Sequence, residues 1–346
     1  MRMRFLATSL VTSLGLCLSL SVAAPVLADP LQDALTRAVD QHATPAVARF
    51  DHAATALSDA AAADCTPEAV KPAYNAAFDA WMGLQHLHMG PLETNGRILT
   101  IAFWPDKKGL IPRALADMIA AKDPVVQDPQ AFSQVSIAAR GFFALEYMLY
   151  DDAFDDYAAG SYSCELVQAI THDLGRMAQV IDAEWTAPDG FADTLREAGA
   201  AAKPHYLTPQ ESVQALYTML MSGLEDTKGK RIARPLGTFD KPRPTRAEAY
   251  RSGRSERNVV LSLSAARDLA RTMAPGDMSA SEEMFAEVIG LAEALNDPDF
   301  SGVIEPMQRL KTEIVGQRIE ALLGALANDV GLPLGVSAGF NASDGD

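Results

Sequence analysis

Beyond its first two dozen residues the chain has no run of about eighteen consecutive apolar residues, so the sequence offers no membrane-spanning helix there. Stretches of alternating β-branched residues are also absent, and nothing is patterned as a half-buried strand. The helical zinc motif HExxH occurs nowhere. The thirteen methionines are scattered, as core fillers are, and form no clustered copper-type motif. Positive charge is scarce: 29 Lys and Arg face 45 Asp and Glu, for a formal net charge of −16. An acidic surface disfavours nucleic acid and anionic lipid and suits a cationic or neutral ligand. Cysteine is scarce, with three residues, Cys17, Cys65 and Cys164.

What is present begins with a leader. Arg2 and Arg4 precede an apolar stretch from Phe5 to about Val22, and the small-residue run ending at Ala28 follows. This is the pattern of a signal peptide over residues 1–28, with Val26-x-Ala28 as the cleavage site and Ala24 as the alternative. Leu16 stands before Cys17 where a lipid-attachment site wants a small residue, which argues against lipidation. Export places the mature chain in the periplasm of a Gram-negative-type cell. In that oxidising compartment Cys65 and Cys164 are expected to pair, two buried free thiols being the alternative. At 99 residues apart and without a local ligand pattern, they make a poor metal site by themselves.

The mature sequence reads as helix after helix: Ala-rich amphipathic segments punctuated by Pro, Gly and Asp. Helices are expected at about 31–62, 67–88, 111–121, 131–150, 162–185, 209–227, 246–273, 280–296 and 302–328, with Pro45 kinking or dividing the first. Thr66-Pro67 reads as a cap before a first-turn proline. Thr208-x-x-Glu211, Thr245-x-x-Glu248 and Ser279-x-x-Glu282 read as capping boxes. Two irregular stretches, Gly90 to Gly109 and Gly229 to Pro244, interrupt the series, and long ordered loops often carry function. An all-α fold of two helical halves follows, 29–200 and 201–335, joined near Pro188 to Pro204, with a disordered tail over 336–346.

The residues with chemical potential are few. Glu146 has Phe142, Phe143 and Leu149 on its own helical face, so its carboxylate must find a cation or strong donors, or take up a proton. Gly141, read as lying inside the same helix, suggests close backbone approach. Between Lys228 and Arg257, thirty residues hold ten of the 29 Lys and Arg, including Arg231, Arg234, Arg246, Arg251, Arg254 and Arg257. Arg251 and Arg254 are read as i,i+3 neighbours on a helix with Asn258 one turn on. They are suited to an oxyanion, or to neutralising acids such as Glu146 and Asp106. In the first long loop, Arg97, Trp104 and Asp106 could line a pocket mouth or plug a bundle end. His86 and His88 are metal candidates only if the helix has ended before them. Glu165 and His172 share a face, most simply as a core or surface pair. Glu146 by itself is a further metal candidate.

The string Gly141-Phe142-Phe143-Ala144-Leu145-Glu146 resembles the GxHxxE signature of the imelysin family, the group of periplasmic insulin-cleaving proteases and iron-regulated proteins. FWPDKKG at 103–109 and AEAYRSGRSERN at 247–258 resemble strings of its imelysin-like predicted periplasmic lipoprotein branch. The resemblance implies two packed helical bundles and a periplasmic role in binding for iron or haem acquisition. It also implies a metal or haem ligand and other envelope uptake proteins as partners, with Gly141 and Glu146 matching the signature and Arg140, just before it, a further candidate. The family's His falls on Phe143, whose ring cannot ligate, which puts metallopeptidase activity in doubt. A peptidase with other ligands and a structural partner protein without a small ligand are the alternatives.

Overall fold

The first helix starts where the leader is expected to end: the Asp29 carboxylate caps it, accepting from the Leu31 backbone N–H at 3.0 Å. The structure is a computed structural model that describes residues 29–200 and 205–337. The expected signal peptide lies outside the described residues. From α1 (Pro30–Arg37) the chain passes through a π-helical turn at Ala38–Ala43 into α2 (Thr44–Ala63). Pro45 divides this helix as expected. The wide turn before it, in which the Thr44 N–H reaches the Val39 carbonyl, meets the proline's missing donor.

There follow α3 (Pro67–Met82), α4 (Arg97–Ile101), α5 (Leu110–Ala121), α6 (Pro129–Phe132), α7 (Gly141–Tyr150), α8 (Tyr162–Thr186) and α9 (Phe191–Arg196). The second half holds α10 (Pro209–Asp226), α11 (Ala233–Leu236), α12 (Ser255–Met273), α13 (Ser279–Glu293), α14 (Pro306–Leu326) and α15 (Leu332–Leu334). Among the described residues there is no strand, only an isolated bridge between Thr238 and Lys241.

The all-α, two-bundle architecture is therefore as expected. In one bundle α2 packs along α3 and α8, and α7 packs on α3 and α8. Its centre is aromatic: Phe78 and Phe142 stack with centroids 4.5 Å apart, and Tyr74 meets both edge-on. In the other, α10, α12, α13 and α14 pack together. The bundles are joined where α1 packs on α10 and α12, and where α12 meets α3. Cys65, just past α2, and Cys164, in the first turn of α8, form the expected disulfide, with Cα atoms 5.4 Å apart. Of the tail, Val336 is buried and Ser337 exchanges hydrogen bonds with Gln214 on α10; residues 338–346 lie outside the described residues.

Four expectations need correction. The helix expected at 131–150 is two short pieces and α7, because Gly141 has φ +71° and is the first residue of α7. The helix expected from 246 starts at Ser255, because Ala249 (φ +53°) and Gly253 (φ +64°) are left-handed. α3 ends at Met82, so His86 and His88 lie beyond it. Of the three capping boxes only Thr208 caps, accepting from the Glu211 N–H. Glu248 and Glu282 take guanidinium partners instead, stronger donors for a carboxylate than a backbone N–H.

Candidate functional site

A cleft of about 510 Å³ opens where α7 and the loop before α5 face α11 and the irregular stretch before α12. Glu146, on α7, forms part of its floor and is only 2% exposed. Among the described residues no arginine forms an ion pair with it, which corrects the expectation for Arg251 and Arg254. Its Oε1 accepts from the Ser252 backbone N–H at 3.0 Å and from the Ser252 hydroxyl at 2.8 Å. Burial raises its pKa above the ordinary carboxylate value, and the two Ser252 donors and nearby Arg251 oppose that rise. The left-handed Ala249 and Gly253 bracket Ser252 and turn its N–H inward. Nothing in the sequence marked Ser252 as this partner, because its orientation depends on those two backbone conformations.

Arg251 does line the cleft, held by Asp151 at 2.7 Å and the Tyr147 hydroxyl at 2.7 Å. Its guanidinium lies 3.7 Å from the Tyr147 ring centroid and 4.5 Å from that of Tyr250. Trp104 and Phe143 form the aromatic wall, near-parallel with centroids 6.4 Å apart. Phe143, at the signature's histidine position, thus faces the cleft as an apolar surface. Asp106 is at the mouth, but its oxygens accept from the Ile111 N–H at 2.8 Å and the Lys108 N–H at 3.2 Å, fixing the start of α5. Arg234, Arg246 and Lys107 also line the cleft. Arg234 and Arg246 belong to the basic run visible in the sequence, which could not single them out. An acidic chain thus presents a locally basic cleft, the reverse of what the net charge alone suggested.

Other expected site residues lie elsewhere. Arg97 is buried in a bidentate pair with Glu184, at 2.5 and 2.8 Å, and also donates to the Pro91 carbonyl. Arg140 pairs bidentately with Asp173, at 2.8 and 3.0 Å. Arg254 donates to Asp79 and to Asn75 on α3. Asn258 donates to Glu248, which also holds buried Arg231 at 2.6 Å. Arg254 and Asn258 are therefore parts of a buried polar seam between α12, α3 and the π turn at Thr227–Ile232, away from the cleft. Gly141 admits close backbone approach as expected, from the carbonyls of α4 and not from a facing guanidinium. Glu165 and His172 line a separate shallow depression with Gln127 and Phe132.

His86 and His88 do not converge either; His88 lines a different pocket, with Glu93 and His205. The partner of His86 is His42, on the π turn, with the two Nε2 atoms 2.9 Å apart. Such a bond needs one imidazole to donate and the other to accept, so at least the acceptor is neutral, and burial favours the neutral form of both. Burial first, then Arg49, lowers His42 to about 4. Burial, then His42, His88 and Arg231, lowers His86 well below its ordinary value. The unfolded chain takes up these protons near the ordinary value of 6.5 while the folded chain does not. The stabilisation is therefore complete above pH 6.5 and is lost as pH falls towards 4, at about 3 kcal/mol for His42. Glu146, with its raised pKa, acts in the opposite sense. Urea unfolding at pH 7.5 and 5.0 should show a smaller acid loss for His42→Leu than for the wild type, and equal losses would sink this account.

Among the described residues no three His, Cys, Asp or Glu side chains converge in an arrangement that could hold a metal ion. With Phe143 beside Glu146, the cleft's own residues do not fit a protein-held zinc. A family model described as Imelysin matches residues 37–329. Among solved structures, an imelysin-like protein from Psychrobacter arcticum superposes with a TM-score of 0.75 at 18% identity, over 90% of this chain and 97% of that one. A candidate iron-regulated protein A precursor from Parabacteroides distasonis gives a TM-score of 0.71 at 14% identity, over 89% and 97%. The curated proteins give no match.

Proposed function

The chain belongs to the imelysin family, and from that premise we propose that it is an exported periplasmic binding protein serving iron or haem acquisition, with its ligand seated in the cleft above Glu146. The observation that carries this reading is the composition of the cleft: aromatic faces from Trp104 and Phe143 beside cationic side chains, with Phe143 where a metal-ligating histidine is needed for peptidase chemistry. The leader and the disulfide support export. One of the similar folds carries an iron-regulated name, which agrees with the direction of the reading. Other envelope uptake proteins are the partners this role requires.

The test is calorimetric titration of the purified mature chain with haemin and with ferric citrate. Saturable binding of at least one is expected. Trp104→Ala should weaken it about tenfold, the loss expected of a stacking face together with its buried area. Wild-type protein that binds neither, or unchanged affinity in Trp104→Ala, counts against the cleft. EDTA-sensitive cleavage of insulin chain by the same preparation would put the peptidase reading in its place.

A further inference from the structure

Four cations line the cleft, and only one of them is committed. Arg251 is held by Asp151 and Tyr147. Among the described residues, Arg234, Arg246 and Lys107 have no ion pair and no side-chain hydrogen bond, although all three line the cavity. Arg234 is the most constrained. Its Nε is buried without a hydrogen-bond partner, and its guanidinium lies over the Trp104 ring, 5.3 Å from the centroid. Burial and the neighbouring charge of Arg246 both disfavour its charged form.

The two acids of the cleft do not answer these cations. Asp106 is engaged by backbone N–H groups at the start of α5, and Glu146 by Ser252. The Arg234 Nε is closed off from solvent, whereas an oxyanion in the cleft that accepts from the terminal N–H groups of this guanidinium supplies the charge partner it lacks. A bare cation meets the opposite situation, facing three positive charges without acid partners while the carboxylates of Asp106 and Glu146 are already engaged.

We propose that the ligand of this cleft carries an oxyanion, a carboxylate or a phosphate, that docks on Arg234 with Arg246 and Lys107 beside it, while Trp104 and Phe143 cover its apolar part. Iron taken up here accordingly enters as an anionic chelate and not as a free ion. The inference rests on the cleft being the binding site and adds the chemical class of what binds.

Ferric citrate supplies carboxylates, ferric pyrophosphate supplies phosphates, haemin supplies carboxylates on a planar body, and ferrous chloride under anaerobic conditions supplies the bare ion. Each is titrated calorimetrically into wild type, Arg234→Ala, Arg234→Lys and Trp104→Ala, with thermal melts confirming that the variants fold. For the chelate that binds, Arg234→Ala should weaken affinity about 10–100-fold and Arg234→Lys by less. Added salt should weaken the wild type more than Arg234→Ala. The preferred chelate identifies carboxylate or phosphate as the docked group. If Arg234→Ala binds like wild type while Trp104→Ala does not, the cleft stands and the oxyanion inference falls. Wild-type affinity in both variants overturns the cleft as well. Binding of none of the three chelates, or tighter binding of ferrous ion than of any of them, overturns the inference outright.

Discussion

Gly141→Ala is expected to lower the unfolding free energy by about 3–5 kcal/mol, a large part of the roughly 5–15 kcal/mol that holds an ordinary domain. Two costs combine. The residue sits at φ +71°, where an L side chain costs about 1–3 kcal/mol. A Cβ there would also lie 2.2 Å from the Thr100 carbonyl oxygen and 2.3 Å from that of Ile101. Both are backbone atoms of α4, so no rotamer change relieves the contact and α4 itself must move. Trp104 follows α4 by three residues, so whatever folds should also bind poorly. The control is Gly290→Ala on α13, where nothing lies within 4 Å of the added methyl group. There alanine should stabilise by about 0.5–1 kcal/mol. Urea unfolding of both variants decides the matter, and a loss below about 1 kcal/mol at Gly141 would show that α4 yields more readily than its packing implies.

Replacing Cys65 and Cys164 together by serine should cost about 2–5 kcal/mol. The bond closes a loop of 99 residues, and the chain-entropy model gives about 4.7 kcal/mol for a loop near that length. It tethers the end of α2 to the start of α8, helices that pack along each other throughout, so the folded state changes little when it is removed. The loss therefore lies mainly in the freedom returned to the unfolded chain. Non-reducing mass spectrometry should find a peptide joining the two cysteines, and urea unfolding of the double variant measures the cost. Two alkylatable thiols in the native protein, or an unchanged midpoint, would refute the account.

The series of helices and their sequence were legible in the chain because they depend on local pattern, and the cysteine pair was expected from the leader-like N-terminus. Apolar residues recurring at helical spacing mark the buried faces, and prolines and Asp or Thr caps mark where helices begin. Glu146 was legible as an unusual carboxylate for the same reason, since Phe142, Phe143 and Leu149 share its face whatever lies opposite. Only the fold could decide what it bonds to. Ser252 is 106 residues away and reaches it through two left-handed positions, one of them an alanine that carries no local sign of that conformation.

The basic run shows the same division most clearly. In the sequence its ten Lys and Arg form one patch, because composition counts charges without assigning partners. In the structure they are dealt out among acids from separate segments: Arg231 to Glu248, Arg251 to Asp151, Arg254 and Arg257 together to Asp79. In the cleft, Arg234 and Arg246 are left without an acid among the described residues, Arg234 with its guanidinium over the Trp104 ring. Charge is additive along a chain, whereas pairing falls off over a few ångströms and needs two groups brought together from distant segments. The sequence by itself determined a helical chain with a basic segment, and the tertiary structure alone decided which of those charges remain free to meet a ligand.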